Sequence, residues 1–202
     1  MFIKMETDKE LRLALFGFGG HAREVASLIG KEVDFFVDDP YSGGLAKPIS
    51  SFDPEKYLMM IAVGDSIERK RIADSLDSRT RFFTFIHPTA IISGSDTIIG
   101  EGSFIGPYSI LTTNIKIGKH AILNRGNQIG HDCTIGDYFS AMPGAIVSGN
   151  VNIGDIFYMG TNSSIKEKIS VCDGVKLGMG SSLIKDCIQP GTYVGCPAKK
   201  IK

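Results

Sequence analysis

Residues 115–136 read IKIGKHAILNRGNQIGHDCTIG, and the same pattern extends over residues 91–186. When this stretch is divided into hexads, an apolar residue takes the third place in fifteen consecutive hexads, with no insertion between them. A period of six matches neither the period of about 3.6 of an amphipathic helix nor the alternation of a strand. It predicts a parallel β-helix of hexapeptide repeats, in which each short strand turns one apolar side chain into a shared core. The third-place residues are Ile99, Ile105, Leu111, Ile117, Leu123, Ile129, Ile135, Ala141, Val147, Ile153, Met159, Ile165, Val171, Leu177 and Leu183.

The first part of the chain shows a different pattern, in which short apolar strands alternate with amphipathic helices. One helix follows the glycines near residue 20 and ends at Gly30, and a second begins at Asp65 or Ser66 and runs to about Leu76. This order predicts a small parallel α/β domain, Rossmann-like, over residues 1–86, followed by the β-helix domain and a C-terminal tail over residues 87–202. An irregular crossing is expected over residues 41–54, and the strands are expected over residues 11–16, 33–37, 57–63 and 81–86.

The apolar spacing of the second helix predicts which of its residues face the core. The inward-facing residues are expected to be Ile67, Ile72, Ala73 and Leu76. The solvated residues are expected to be Arg69, Lys70 and Arg71.

A glycine-rich loop joins the first strand to the first helix. Gly17-x-Gly19-x-x-Ala22, with Asp38 about twenty residues further on, matches the dinucleotide-binding fingerprint. Backbone N–H groups at a helix start attract phosphate, and a carboxylate can bind a ribose or a base edge. With about four strands the domain is smaller than a full dinucleotide fold, so a mononucleotide or nucleotide-sugar is preferred over NAD. Two plainer interpretations stay open: the glycines only form a tight turn, and Asp38-Asp39 is only a solvated strand end.

Charge and cysteine content restrict the partners and the compartment. Lys plus Arg and Asp plus Glu both number 22, so no overall field attracts nucleic acid or a membrane surface. No apolar run approaches the roughly 18 residues of a membrane span, and residues 1–10 are too polar for a signal peptide, so a cytoplasmic location is expected. The cysteines show no C-x-x-C pair and are predicted to be reduced thiols; they are Cys133, Cys172, Cys187 and Cys196.

His131 and Asp132 follow the inward-pointing Ile129, which places both at a corner of the coil. A base that titrates near neutral pH and is oriented by a carboxylate suits acyl transfer to an amine. The alternative is a solvated corner histidine without a chemical role. The spacing of His120 and His131 is not the H-x-x-x-x-H of zinc hydratases built on the same coil, so no metal is expected. Cys133 is expected to be a buried, inert thiol.

Short motifs distributed along the chain match one known family. They are Gly17-x-Gly19-Gly20-His21, Asp38-Asp39, Ile61-Ala62-Val63-Gly64-Asp65 with Arg69-Lys70, Ile86-His87-Pro88, Asn124 with His131-Asp132, Gly149-Asn150-Val151-x-Ile153-Gly154, and Gly195-x-Pro197-Ala198-Lys199. From about Leu11 onward the chain resembles the left-handed β-helix, hexapeptide-repeat acetyltransferases of nucleotide-linked amino sugars. This family includes the UDP-4-amino-sugar N-acetyltransferase of bacillosamine biosynthesis, the perosamine N-acetyltransferases and the so-called sialic acid O-acetyltransferases. The resemblance implies an acetyl-CoA-dependent N-acetyltransferase, a left-handed β-helix and a homotrimer.

The resemblance also implies roles for individual residues. His131 would be the general base, and Asp132 would raise its basicity. Ser140 stands where some relatives have a histidine, and Met179 interrupts what is elsewhere a glycine run. The nucleotide-sugar would be held by Gly19, Gly20, His21, Asp38, Asp39 and Gly64, with Asn124 near the reacting group. Acetyl-CoA would lie in a groove between two subunits, in contact with Ser140, Gly149, Gly160, Thr161 and the backbone at Met179.

Direct transfer is the expected mechanism, in which His131 takes a proton from the attacking amine. If a coil contains three hexads, Gly149 stacks over His131, and its N–H could stabilise the developing oxyanion. O-acetylation of a sugar such as sialic acid is one alternative, and a non-catalytic nucleotide-sugar-binding module is another. A binding module has no use for a base beside a carboxylate, which argues against the second alternative.

Overall fold

A five-stranded parallel sheet forms the N-terminal part of the protein in the computed structural model, which describes residues 2–4 and 11–202. β2 lies in its centre, with β3 and β4 on one side and β5 and β6 on the other. The strand order therefore reverses between β2 and β5, and ligands of open α/β sheets bind beside such a switch point. The strands are β1 (Phe2–Lys4), which belongs to another sheet, β2 (Arg12–Phe16), β3 (Val33–Val37), β4 (Ala46–Pro48), β5 (Tyr57–Ile61) and β6 (Arg81–Phe82).

Two ten-residue helices, α1 (Gly20–Ile29) and α2 (Ser66–Ser75), cover opposite faces of this sheet. α1 buries an apolar stripe, as its spacing predicts, and ends at Gly30, whose φ of 63° is left-handed. α2 begins after Asp65, whose carboxylate accepts hydrogen bonds from the N–H groups of Ile67 and Glu68. The predicted ends of both helices are therefore confirmed.

Two strand predictions differ from the structure. The crossing over residues 41–54 contains β4, which pairs in parallel with β3, and it is flanked by the 3-10 helices Asp39–Tyr41 and Ile49–Ser51. The single strand expected over residues 81–86 is two strands, β6 and β7 (Thr84–Ile86), which belong to different sheets. Because residues 82–86 (FFTFI) are a short and mostly apolar run, the sequence shows no break between the two strands.

The rest of the chain forms a parallel β-helix with three sheets, and each full coil gives one short strand to each sheet. The first sheet contains β7, Phe104–Ile105, Ile122–Leu123, Ser140–Ala141, Tyr158–Met159, Val175–Leu177 and Gly191–Val194, with β1 and Lys199–Lys200 antiparallel at its two edges. The second contains Ile91–Ile92, Ile110–Leu111, Gln128–Ile129, Ile146–Val147, Ser164–Ile165 and Ser182–Leu183. The third contains Ile98–Ile99, Lys116–Ile117, Thr134–Ile135, Asn152–Ile153 and Ser170–Val171.

The register of these strands confirms the predicted repeat. Leu123 lies opposite Ala141, one coil further along the chain, and every third-place residue except Ile99 is buried in the shared core. Both ends of the β-helix depart from the regular coil. Ile86 lies opposite Ile105, so the first coil is one residue longer and begins before residue 91.

Gln189 takes the place of an apolar third-place residue and is followed by Pro190, a pattern that predicts the end of the coil there, but the structure shows that the coil continues. Cys187 lies opposite Val171 in the place expected for Gln189, so the last coil is two residues shorter than the others. The chain then returns to the first sheet as the strand Gly191–Val194. A coil of 16 residues instead of 18 shifts the pairing of the strands that follow it, and a sequence analysis that assumes a fixed period of six cannot detect such a shift.

The α/β unit covers the outer surface of the first sheet. Phe104 and Ile122 occupy outward-facing positions of this sheet, yet each is only 2% exposed. Both pack in one apolar cluster with Ala22 and Val25 of α1. The two units therefore share a hydrophobic interface.

Arg69 of α2 also joins the two units, contrary to the expectation that it is solvated. Arg69 is fully buried, whereas Ile67, expected to face inward, is 67% exposed. Burial lowers the pKa of Arg69 to about 9, so its guanidinium remains charged at neutral pH. Its N–H groups donate to the carbonyl oxygens of Val63 (2.6 Å), Gly64 (3.3 Å), His120 (2.8 Å), Tyr138 (2.9 Å) and Phe139 (3.0 Å) and to the Ser140 hydroxyl (2.8 Å).

Replacement of Arg69 by methionine should destabilise the protein strongly. Arg69→Met keeps the apolar bulk but leaves buried carbonyl groups of both units without donors, at a cost of about 3 kcal/mol. The melting temperature should fall by roughly 6–12 °C. Arg79→Met is the matched control, because Arg79 is 66% exposed and its loss should change stability by less than about 0.5 kcal/mol. Equal melting temperatures for the two variants would contradict the role of Arg69.

Candidate functional site

His131 and Asp132 lie at the corner between the second and third sheets. His131 Nδ1 is 2.7 Å from Asp132 Oδ2, and the other carboxylate oxygen accepts a hydrogen bond from Asn114 Nδ2 at 2.7 Å. These two bonds, that of His131 first, lower the pKa of Asp132, which is therefore ionised at neutral pH. An ionised carboxylate can only accept hydrogen bonds. Nδ1 of neutral His131 therefore carries the proton, and Nε2 is left as a proton acceptor.

Gly149 lies directly against the His131 ring, in agreement with the predicted stacking. A Cβ atom on Gly149 would lie 2.6 Å from Nε2 and 2.8 Å from Cε1 of His131. Over the described part of the chain, the Gly149 N–H makes no hydrogen bond, whereas the next N–H, of Asn150, donates to the His131 carbonyl at 2.8 Å. The imidazole ring with its free Nε2 therefore packs against Gly149, whose backbone N–H has no partner among the described residues.

Two other titratable residues, Cys133 beside His131 and His120 at a different corner, have structural roles. Burial raises the pKa of the Cys133 thiol, and its Sγ donates to the Ser148 carbonyl at 3.2 Å. Burial likewise lowers the pKa of His120 to about 4, and its ring stacks on that of Tyr138. A protonated thiol and an enclosed neutral imidazole are unsuited to nucleophilic and base catalysis.

The glycine loop lies at the carboxyl end of β2, where two of its glycines are open. Gly17 has a φ of +114° and lies close to the end of β5, so it requires glycine. Gly19 has a φ of −73°, and no protein atom lies within 4 Å of a Cβ built on Gly19 or Gly20 within the described residues. Neither glycine has a positive φ, so backbone strain does not require glycine at these positions, and the backbone there is open to close approach.

His21 connects α1 to the β-helix corner that carries Asn124. Its ring packs edge-on against Phe104, with centroids 5.7 Å apart, and burial lowers its pKa, which favours the neutral form. On the same helix, Glu24 forms an ion pair with Arg125. The Arg125 N–H donates to Asn124 Oδ1 at 2.8 Å, so the amide NH₂ of Asn124 is the group left for a ligand.

Asp38, Asp39 and Gly64 lie at the carboxyl edge of the parallel sheet, as predicted. Asp38 follows β3 and pairs with Arg71 of α2 at 2.9 Å. Asp39 Oδ1 accepts a hydrogen bond from the Ser50 N–H at 3.0 Å, which lowers the pKa of Asp39. Both carboxylates thus have a protein partner already in place.

Three of the residues expected to contact the co-substrate share a corner with Asn124. Gly160, Thr161 and Met179 lie between the first and second sheets, and Met179 is 76% exposed. Ser140 is instead fully buried on the first sheet. Its hydroxyl donates to the Gly64 carbonyl at 2.8 Å and accepts hydrogen bonds from Arg69 and Ser66. The Ser140 side chain is therefore enclosed beneath the α/β unit, whereas the other three residues lie at the open corner.

The predicted site residues thus form two groups within one chain. His131, Asp132 and Gly149 occupy one edge of the second sheet, and the Asn124 corner occupies the other edge. Sequence reasoning missed four residues that organise these groups. Asn114 could have been found from its position one coil before Asp132, and Arg125 from its adjacency to Asn124. Arg69 belongs to a motif of the family, but nothing in the motif shows that it is buried, and Glu24 has no local signal.

The remaining expectations concern metals, membranes and thiols. Within residues 2–4 and 11–202, no group of three or more His, Cys, Asp or Glu side chains could hold a metal ion. Neither helix in the same ranges is long and apolar enough to cross a membrane. The expectation about a signal peptide in residues 1–10 falls mostly outside the described residues. The four cysteines are free, as predicted.

Comparison with known proteins identifies the family. Residues 12–76 match the family model described as PglD N-terminal domain, and residues 96–131 match that described as bacterial transferase hexapeptide. GDP-perosamine N-acetyltransferase of Escherichia coli O157:H7 is 30% identical over 177 residues, which cover 77% of this chain and 78% of that protein.

Solved structures show the same fold over nearly the whole chain. WeeI from Acinetobacter baumannii AYE superposes with a TM-score of 0.87 at 28% identity, covering 95% of this chain and 100% of that one. The acetyltransferase domain of PglB from Neisseria gonorrhoeae FA1090, in complex with acetyl coenzyme A, gives a TM-score of 0.68 at 27% identity, covering 96% of this chain and 100% of that one. The chain therefore belongs to the hexapeptide-repeat acetyltransferases of nucleotide-linked sugars and is an acyltransferase.

Proposed function

We propose that the protein transfers an acetyl group from acetyl-CoA to the amine of a nucleotide-linked 4-amino-deoxy sugar, with His131 as the general base. The packing of the His131 ring, with its free Nε2, against Gly149, with its unpaired N–H, carries this proposal. A base and an oxyanion donor are the two groups that direct acyl transfer requires. The substrate class is supported by a relative named GDP-perosamine N-acetyltransferase and by a similar domain solved with acetyl coenzyme A.

The proposed mechanism is a single transfer without an acyl-enzyme. His131 Nε2 accepts a proton from the substrate amine, while its Nδ1–H stays bonded to Asp132, which stabilises the imidazolium. The amine nitrogen attacks the thioester carbonyl as this proton is transferred, and the Gly149 N–H donates to the carbonyl oxygen as negative charge develops there. The C–N bond forms, the C–S bond breaks, and the thiolate leaves and takes up the proton held by His131.

The carboxyl edge of the α/β sheet is proposed to hold the nucleotide-sugar. No side chain caps the first turn of α1, so its N–H groups are available to phosphate oxygens. Gly19 and Gly20 leave the space beside this turn open. The other groups proposed for this ligand are His21, Asp38, Asp39, Gly64 and Asn124.

A homotrimer is proposed because the two site groups lie on opposite edges of one sheet. A neighbouring copy packed against the second sheet would bring its His131 edge towards the Asn124 edge of the first copy. The outward-facing residues of the second sheet are Ile91, Ile110, Gln128, Ile146, Ser164 and Ser182, and those of the third sheet are Ile98, Lys116, Thr134, Asn152 and Ser170. The second sheet therefore presents three isoleucines, with Ile91 54% and Ile146 39% exposed, whereas the third presents only Ile98 among its strand residues. Acetyl-CoA would then lie in the groove between copies, in contact with Gly149, Gly160, Thr161 and Met179.

The proposal also includes three features of the protein that the sequence and its resemblance to the family predict. They are the left-handed winding of the coil, the division into domains after residue 86 and the cytoplasmic location. Family membership supports the first two.

Thiol release from acetyl-CoA tests the reaction with a panel of UDP-, dTDP- and GDP-linked amino sugars. Release is expected with an amino sugar and not with its hydroxyl analogue.

His131→Ala should lower turnover by roughly 10²–10⁴ and leave acetyl-CoA affinity nearly unchanged. Asp132→Asn should cost less and move the acidic limb of the pH–rate profile to lower pH, because a neutral amide no longer favours the imidazolium. Release only with hydroxyl sugars would support O-acetylation, and an active His131→Ala enzyme would exclude His131 as the base.

Gly149→Ala should lower turnover without unfolding the protein. Gly149 does not have a positive φ, so alanine fits the backbone, but its Cβ would collide with the far end of the His131 side chain. A displaced base should reduce turnover by about 10- to 100-fold at an unchanged melting temperature. Ser148→Ala is the control, because it adds no atom beside His131. Full activity of Gly149→Ala would show that the ring position is not critical.

Sedimentation should give a trimer at micromolar concentration. Ile146→Glu places a charge on the outer surface of the second sheet and should dissociate the trimer and abolish turnover, while nucleotide binding to the α/β unit persists. Asn152→Glu adds the same charge to the third sheet and should leave the assembly intact. A monomeric unmodified protein would contradict the trimer and the shared site.

A further inference from the structure

Three polar residues are stacked along the β-helix corner that carries His131. Asp96, Asn114 and Asp132 occupy successive coils, and the distances between them show direct contact. Asn114 Nδ2 donates to Asp132 Oδ1 at 2.7 Å. The Asn114 N–H donates in turn to Asp96 Oδ1 at 2.9 Å, and a hydrogen bond from Thr113 Oγ1 to Asp96 is 3.3 Å long.

This column of Asp96, Asn114 and Asp132 leaves the Asp132 carboxylate little freedom to rotate. Its Oδ1 is held by Asn114 and its Oδ2 by His131 Nδ1, while its N–H donates to the Thr113 carbonyl at 3.1 Å. Because an ionised carboxylate only accepts hydrogen bonds, Asn114 must present its NH₂ group and not its oxygen. The backbone of Asn114 supports this orientation, since its φ of 52° is a conformation that asparagine tolerates.

The corner between the third and first sheets carries a comparable stack of carboxylates that has only a structural role. There, each carboxylate accepts a hydrogen bond from a backbone N–H of the neighbouring coil. Asp137 binds the Lys119 N–H at 2.7 Å, and Asp155 and Asp173 bind the N–H groups of Asp137 and Asp155, each at 2.8 Å. The Asn114 side chain instead binds another side chain, that of the carboxylate paired with His131. Its contact therefore orients a functional group and caps no backbone amide.

We propose that Asn114 is a positioning residue for acetyl transfer, which holds Asp132 so that His131 keeps its proton on Nδ1 and its base on Nε2. This inference rests on the proposed function of the same corner. Without Asn114, Oδ1 of Asp132 would lose its partner, and the carboxylate could turn away from His131. The imidazole would then populate the tautomer with a protonated Nε2, which cannot accept the proton of the amine.

Kinetics in two backgrounds test whether Asn114 acts through Asp132. Asn114→Gly removes the amide but retains the left-handed backbone without strain. In the otherwise unchanged enzyme, kcat should fall about tenfold, with KM for both substrates unchanged. In the Asp132→Ala background the same substitution should have no further effect, because the group that it orients is gone. Equal losses in both backgrounds, or no loss in the unchanged enzyme, would overturn the proposal.

The tautomer of His131 gives a readout independent of turnover. In protein labelled with ¹⁵N-histidine, the ring nitrogen shifts should show a protonated Nδ1, and Asn114→Gly should move them towards a mixture of tautomers. Asp155→Ala is the matched control, because it removes a corner carboxylate and should lower the melting temperature without moving the His131 shifts or kcat. Unchanged shifts in Asn114→Gly would overturn the inference. An active His131→Ala enzyme would instead overturn the proposed function, whatever the shifts.

Discussion

The buried guanidinium of Arg69 is the interaction on which the arrangement of the two units depends. A cation removed from water needs a partner for each N–H group. Arg69 finds these partners on the loop after β5 and on two successive coils of the β-helix. Because the acceptors belong to both units, the loop at Gly64 cannot slide along the coil without leaving a buried charge unpaired. The carboxyl edge of the sheet, with its open glycines and His21, is thereby held beside the Asn124 corner.

The coil length has a comparable role at the other corner. Residues one coil apart are about 4.8 Å apart, close enough for direct side-chain contact. The repeat therefore places Gly149 against His131 and Asn114 against Asp132. The backbone at this corner resembles that of the Asp137 corner. The two corners differ in their side chains. At the Asp137 corner carboxylates bind backbone N–H groups, whereas here Asn114 binds the carboxylate that pairs with the base His131.

The two groups of site residues lie on opposite edges of the second sheet, so the outer surface of this sheet is where a second copy would have to pack to bring them together. Neither the His131 edge nor the Asn124 edge contains both a base and the expected ligand-binding surface of the α/β unit. The outer surface of the second sheet lies between these two edges and carries three isoleucines, of which Ile91 and Ile146 are exposed. Since exposed apolar patches commonly mark interaction sites, the same surface that would join copies would also complete the site.

The sequence alone determined the β-helix, the helix ends and the stacking of Gly149 on His131, because periodicity, capping and adjacency are local properties. It did not determine that Arg69 is buried and Ile67 exposed, that residues 81–86 divide between two sheets, or that Ser140 is enclosed. Arg69 meets partners 51 to 71 residues away, and no short-range pattern encodes such contacts. Only the packing of the α/β unit on the first sheet decided them, because burial of a charged or polar side chain depends on acceptors that the tertiary structure brings together.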